Sequence, residues 1–86
     1  MANQFLSKIY QYTVIFEPAE EGGFVVSAPA LPGCVTQGEN LEEATKMIKD
    51  AIAGYLSVFK NDGEEIPRES EGTLVTRVSV LEKKLV

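Results

Sequence analysis

The sequence has no histidine, no tryptophan and only one cysteine among its 86 residues. Without histidine, neither a Ser-His-Asp triad nor a Cys-His pair can form, and a zinc site would have to combine one thiol with carboxylates. Cys34 has no partner for an internal disulfide and no histidine to activate it, so we expect a small buried apolar residue. These absences argue against the common enzyme classes, and we expect no catalytic residue and no cofactor.

Long apolar runs are also missing, since no stretch approaches the roughly 18 residues that span a bilayer. The first ten residues, MANQFLSKIY, lack the charged start and long apolar stretch of a secretory signal. Together with the single cysteine, these features predict a cytoplasmic protein that binds no membrane. The 13 acidic and 8 basic side chains give a net charge of −5. This charge repels phosphate and favours a basic protein partner over nucleic acid.

A chain of this length with 44% hydrophobic residues predicts a single domain, residues 1–86, with one modest core. Residues 9–17 alternate in polarity, with aromatic or apolar side chains at positions 10, 12, 14 and 16 on one face, which predicts a strand. Gly22 and Gly23 supply the positive φ angles of a chain reversal, and residues 24–28 return as a second strand. The prolines of the next segment, PALPGC, predict a turn. A short third strand at 34–37 ends at Gly38.

The longest helical signal begins at Leu41. Asn40 is a favourable N-cap residue, and Glu43 can return a hydrogen bond to the backbone N–H of the cap. Apolar residues then follow three-and-four spacing to Phe59, and Asn-Asp-Gly at 61–63 predicts the end of the helix after about twenty residues. Gly54 lowers helix stability by about 1 kcal/mol relative to alanine, which predicts close packing against the sheet at that point.

Residues 64–72 are polar and predict a surface connection, whereas residues 73–81 alternate again and predict a fourth strand. The order β-β-β-α-β predicts an α+β fold, a two-layer sandwich in which one helix covers one face of a mixed sheet. The crossover through the helix would set the last strand parallel to a neighbour. The other face of the sheet stays open, which predicts a homodimer or a higher homo-oligomer.

The carboxylates of Glu17, Glu20 and Glu21 could bind a divalent cation or could keep an exposed loop soluble. Their spacing lacks the alternating oxygen ligands and the fixed glycine of a calcium loop, so we favour a solvated loop without a metal site. The aromatic residues of the first hairpin could stack on nucleic-acid bases. Because no lysine or arginine is interleaved with them, core packing is favoured.

The order of motifs between residues 12 and 52 resembles the HicB antitoxin family. The shared features are a strand ending in glutamate, an acidic turn with paired glycines, the segment PALPGC, a further glycine, and a helix that opens with Glu-Glu-Ala. The residues that carry these motifs are Gly22, Gly23, Pro29, Pro32, Gly33, Cys34, Gly38, Glu43 and Ala44.

The resemblance implies a truncated RNase H-like fold. It also implies a protein of a type II toxin-antitoxin system that neutralises a small basic HicA-like toxin, an mRNA-cleaving ribonuclease, by binding its surface. By this interpretation the partner-binding residues are Glu17, Glu20, Glu21 and Leu31. Leu31 is an anchor for the partner or, alternatively, the proline-framed turn that carries it only packs the core. Many members add a DNA-binding segment, whereas here one predicted strand leads to Val86. We therefore expect no C-terminal DNA-binding domain and no direct nucleic-acid binding.

Two alternatives stay open. The first is an orphan domain of this family that binds another protein or a small ligand. The second is a metal-dependent nuclease that uses the acidic loop. The resemblance argues against the second, because positions 13–15 and 78–80 carry no carboxylate where the related nuclease fold has metal ligands.

Overall fold

The computed structural model describes residues 8–85, which contain three β-strands, one α-helix and one 3₁₀ turn. The elements are β1 (Ile15–Pro18), β2 (Phe24–Ser27), β3 (Val35–Gly38), α1 (Leu41–Asn61) and the 3₁₀ turn Glu82–Lys84. The strands form an antiparallel sheet in the order β1-β2-β3. The predicted α+β class and the predicted helix are confirmed. Neither helical element in residues 8–85 combines the length and apolar character needed to cross a membrane.

The two faces of the sheet differ in burial. Phe16, Val26 and Thr36 stand opposite one another across the three strands, and Val26 is fully buried in contact with α1. The neighbouring row consists of Ile15, Ser27 and Val35, of which Val35 is 56% exposed. Strand alternation therefore produces one face packed against the helix and one more open face.

The core lies between α1 and the strands β2 and β3. Apolar residues of α1 at three-and-four spacing face this core, because 3.6 residues per turn place them on one side of the helix. Burying each of the larger apolar side chains contributes about 1.5–3 kcal/mol to folding. The buried residues are Val26, Ala28, Leu31, Cys34, Ala44 and Ile48.

The N-terminal end of α1 is capped almost as predicted. Asn40 has an extended backbone (φ −150°), and its Oδ1 accepts a hydrogen bond from the N–H of Glu43 at 2.8 Å. The Glu43 carboxylate in turn accepts from the N–H of Glu39 at 2.6 Å, one residue before the expected position. The reciprocal arrangement still satisfies backbone donors that a helix start leaves free.

The C-terminal end of α1 is a Schellman motif. The N–H of Glu64 donates to the carbonyl of Phe59 at 2.8 Å and the N–H of Gly63 donates to that of Lys60 at 3.1 Å. Gly63 has φ +73°, the left-handed conformation that glycine adopts without strain. Gly54 differs from its prediction, because among the described residues a Cβ at this position would meet no atom within 4 Å apart from the neighbouring backbone of its own helix. It lies on the exposed side of the helix and marks no close packing.

Two predicted strand regions lie outside the sheet. β1 begins at Ile15 instead of residue 9, and residues 73–81 form no strand within the described range. This corrects the predicted order to β-β-β-α for residues 8–85, with an antiparallel sheet in place of a mixed one. The Cα radius of gyration is 16.8 Å, which exceeds the value of about 12 Å expected for a compact chain of this length. Alternation makes a segment suited to a sheet surface, but a strand also requires a neighbouring backbone to pair with.

Candidate functional site

The proline-framed turn is built from two consecutive reverse turns that meet at Leu31. The N–H of Leu31 donates to the carbonyl of Ala28 at 2.9 Å, and the N–H of Cys34 donates to the carbonyl of Leu31 at 2.9 Å. Pro32 followed by Gly33 at φ +84° matches the preferences of a type II turn. These bonds direct the Leu31 side chain inward, where it is fully buried.

Leu31 and its neighbours in the turn differ in burial. The Leu31 side chain packs in the core. Pro32 and Gly33 are the exposed residues of the same turn. The Tyr55 hydroxyl donates to the carbonyl of Pro32 at 3.0 Å, which ties the turn to α1.

Two glycines bring the first hairpin, the end of β3 and the start of α1 into close contact. A Cβ on Gly38 would lie 2.6 Å from the Cα of Ala44, and a Cβ on Gly23 would lie 2.5 Å from the carbonyl oxygen of Gly38. Any larger residue at either position would require the backbone to shift. Gly23, Gly38 and the buried Ala44 therefore form a stack of small residues that joins three elements.

The first hairpin turns through Ala19–Gly23, a five-residue loop between β1 and β2. The N–H of Ala19 donates to the carbonyl of Gly23 and the N–H of Gly22 donates to that of Ala19, both at 3.0 Å. Glu20 and Glu21 stand exposed at the tip. Glu17, also exposed, shares the open face of the sheet with Ile15 by strand alternation.

An acidic hollow of about 730 Å³ opens beside this stack. The glutamates Glu21, Glu39 and Glu43 line it together with Met47, and none of the basic residues within 8–85 does. Met47 is 43% exposed. A flexible, partly exposed methionine among carboxylates combines apolar contact area with negative charge, a combination that suits a basic protein partner.

The structure brings together only some of the predicted site residues. Glu21 and Glu43 meet at the acidic hollow, with Gly22, Gly23 and Gly38 beside them. Glu17 and Glu20 do not line the hollow. Glu39 and Met47 were missed by sequence reasoning, because their contribution depends on how β3 leads into α1. A hint was available, since Glu39 lies directly between Gly38 and the N-cap Asn40.

A second cluster lies where residues 10–13 cross residues 67–69. The Glu69 carboxylate accepts a hydrogen bond from the N–H of Thr13 at 2.7 Å and another from its hydroxyl. These two bonds lower the pKa of Glu69, because they favour the ionised carboxylate. The Tyr12 hydroxyl donates to the carbonyl of Pro67, and Arg68 lies over the ring of Tyr10 at 5.3 Å. Burial raises the pKa of Tyr12.

The described residues offer neither an activated nucleophile nor a metal-binding cluster. Burial raises the pKa of the Cys34 thiol, which keeps it protonated and a poor nucleophile. In residues 8–85 no three side chains of histidine, cysteine, aspartate or glutamate are grouped so that they could hold a metal ion.

A comparison with protein families matches residues 12–79 to the family described as the HicB_like antitoxin of bacterial toxin-antitoxin system. The match extends beyond the sheet and helix, through the segment after α1, and covers most of the chain.

Individual proteins similar in sequence to this chain include named HicB antitoxins. The chain is 48% identical over 60 residues to UPF0150 protein Ta0767 of Thermoplasma acidophilum, covering 70% of this chain and 87% of that protein. It is 41% identical over 66 residues to Antitoxin HicB 1 of Photorhabdus laumondii, covering 77% of this chain and 43% of that one. It is also 40% identical over 60 residues to Antitoxin HicB of Escherichia coli K12, covering 70% and 44%. The chain thus spans less than half the length of these two HicB antitoxins, and it belongs to the HicB-like antitoxin family of bacterial toxin-antitoxin systems.

Proposed function

We propose that this chain is a non-enzymatic antitoxin module that neutralises a small basic HicA-like ribonuclease toxin in the cytoplasm by direct protein-protein binding. The observation that carries the proposal is the acidic hollow at the junction of the first hairpin, β3 and α1. It combines three carboxylates with an exposed methionine, and no basic residue of the described range lines it. Family membership supports a toxin as the partner.

The charge of the hollow acts mainly on the encounter with the toxin. Long-range attraction between opposite charges raises the association rate, whereas affinity depends mostly on buried contacts near the centre of an interface. Glu20 and Glu21 at the hairpin tip and Glu39 at the hollow are exposed and can attract a basic surface. Glu17 adds to the same field from the open face of the sheet. In this proposal Met47 supplies the apolar contact.

In this proposal the remaining predicted residues have distinct roles. Gly23, Gly38 and Ala44 hold the wall of the hollow by close backbone contact. Leu31 supports the proline-framed turn from inside the core, so substituting it should affect toxin binding only through folding. A Leu31→Asp variant should therefore lose its folded circular-dichroism spectrum together with binding.

The proposal is tested with two triple variants that remove the same charge at different places. One is Glu20→Gln/Glu21→Gln/Glu39→Gln at the hairpin and hollow, and its matched control is Glu64→Gln/Glu65→Gln/Glu71→Gln. All six residues are exposed. At low salt we expect the first variant to associate with the toxin roughly tenfold more slowly and the control less than about twofold more slowly. Both differences should shrink as salt screens the charges beyond about 10 Å at 0.1 M.

Partner choice is tested by co-expression with the product of the adjacent reading frame. We expect growth rescue and a complex that survives purification. Equal rate effects in the two triple variants would contradict the role of the hollow. Absence of both rescue and complex would contradict the antitoxin function itself.

A further inference from the structure

Residues 73–81 are here called the extended segment. Their apolar side chains alternate as in a half-buried strand, yet these side chains are exposed. Leu74, Val78 and Val80 alternate on one face and are 82%, 84% and 66% exposed. Within residues 8–85, the backbone from 74 to 80 forms no hydrogen bond with another element. Unpaired backbone groups beside exposed apolar side chains favour addition to the edge of a sheet.

The sheet has an edge that suits this segment. Within the described residues β1 pairs with β2 on one side only. On the helix side of this edge, Val14 and Phe16 pack against the core but are only partly buried. The other edge strand, β3, offers Thr36 and Gly38 on that side, so only β1 provides apolar neighbours for Leu74 and Val78.

The distribution of charge indicates which protein offers the sheet edge that the extended segment joins. Residues 8–72 carry five basic and twelve acidic side chains, a net charge of −7, whereas residues 73–85 carry three basic and one acidic, a net charge of +2. A basic toxin does not complement residues 73–85, which include the extended segment. The body of a second copy of this chain does, and opposite charges on the two parts of one chain favour association between copies.

Within the described residues the segment does not pair with β1 of its own chain. Residues 67–69 lie across residues 12–13, just before β1, through the hydrogen bonds of Glu69 with Thr13. Gly72 then takes φ +80°, and the residues that follow run on without joining the sheet.

We propose that the extended segment of one copy adds as a parallel strand along β1 of a second copy, and that the two copies exchange these segments reciprocally. With Val75 set beside Ile15, strand alternation places Arg77 beside Glu17 on the open face. The same register directs the apolar face, which includes Val78, toward the helix side. The inference concerns the protein alone and is independent of the toxin-binding proposal.

The first test measures self-association of the full chain by sedimentation, without toxin. We expect a dimer at tens of micromolar concentration. Val78→Asp should raise the dimer dissociation constant at least about tenfold, because the substitution introduces a charge into the new apolar contact. Val58→Asp is the matched control, since Val58 is a 58% exposed valine on α1, and it should change the constant less than about twofold. Val78 is so exposed that its variant should keep the circular-dichroism spectrum of the wild type.

The second test exchanges charges between copies. Glu17→Arg alone and Arg77→Glu alone should each weaken the dimer about tenfold, because both symmetric pairs become repulsive. An equimolar mixture of the two variants should restore wild-type affinity, since each segment then meets an opposite charge. A purely electrostatic surface effect without this pairing would not show such recovery.

Three results would overturn the proposal. One is a wild-type chain that stays monomeric at 100 micromolar, and another is a dimer that Val78→Asp leaves unchanged. The third is hydrogen exchange in which the amides of residues 74–80 are as protected at low micromolar concentration as in the dimer. That last result would mean that the segment pairs within its own chain.

Discussion

Two regions of this chain have similar patterns of apolar residues, but the apolar side chains of one region are buried and those of the other are exposed. Residues 24–56 supply the buried core, in which Val26 and Leu31 are fully buried. In residues 73–85 the apolar side chains stay at the surface, and Leu74 is 82% exposed. The first region has tight turns and small residues that bring backbones together, whereas the second has alternation only. Burial in this chain therefore follows from how closely backbones can approach, and alternation alone does not produce it.

The strongest way to break the comparison is to truncate one leucine in each region. Leu31→Ala should lower the free energy of unfolding by about 2–5 kcal/mol, because it leaves a cavity in a closed core. Leu85→Ala, at a residue that is 67% exposed, should change it by less than about 0.5 kcal/mol. Urea unfolding followed by circular dichroism measures both values. Comparable losses for the two variants would show that the second region is packed after all.

The second comparison uses glycines and predicts effects of opposite sign. Gly38→Ala should destabilise the fold by about 1–3 kcal/mol, because the new Cβ would press on the backbone of Ala44. Gly54→Ala should stabilise it by about 0.5–1 kcal/mol, since alanine is the better helix former and the new Cβ would meet no described atom within 4 Å apart from the neighbouring backbone of its own helix. Thermal unfolding of the two variants against wild type measures the sign directly. A stable Gly38→Ala variant would contradict the close contact at the small-residue stack.

The N-cap of α1 gives a further test with a smaller expected change in the free energy of unfolding. Asn40→Ala should lower the free energy of unfolding by about 1 kcal/mol, because the N–H of Glu43 loses its acceptor. Asn40→Asp restores a capping oxygen and serves as the control, which should recover most of the loss. Denaturant unfolding at neutral pH measures both variants. If Asn40→Ala matched wild type, water or another side chain would be satisfying the helix start.

The smallest expected effect belongs to Glu69, at the junction of the two regions. Its folded-state pKa is lowered by the hydrogen bonds from Thr13. The bonds therefore stabilise the fold fully above the ordinary glutamate pKa, and this stabilisation is lost as pH falls through the lower folded value. A carboxyl titration by NMR should show Glu69 titrating below its usual range in wild type. Thr13→Val should move the value upward by removing the hydroxyl donor. An unshifted Glu69 in wild type would mean that the junction is open.

Local patterns predicted the hairpin and the helix well, because their causes are local. Asn40 is followed by helical spacing, and Gly63 stands where the helix must reverse its backbone. Glu43 was correctly placed as a capping side chain, although it bonds to the N–H of Glu39 and not to that of Asn40. The carboxylate has enough reach for either donor, and local spacing does not distinguish the two.

Positions whose role depends on distant neighbours were predicted less well. Gly54 was expected to mark close packing, yet the close contact lies at Gly38, because only the folded chain places β3 against the start of α1. For Leu31 the sequence left open whether it is an anchor for a partner or part of the core, and only the folded chain shows that its side chain is fully buried. The acidic hollow was also not foreseeable, since Glu21 and Glu39 are 18 positions apart in the sequence.

The amino-acid sequence by itself determined four properties of this protein: the helix with its two ends, the first hairpin, the negative net charge and the family motifs. These properties arise from side-chain chemistry, backbone preference and spacing within one or two turns of the chain. Only the tertiary structure decided which alternating segments joined the sheet, which leucine was buried and which glutamates shared a surface. Those outcomes depend on backbone pairing and contact between residues far apart in sequence, which no local pattern specifies.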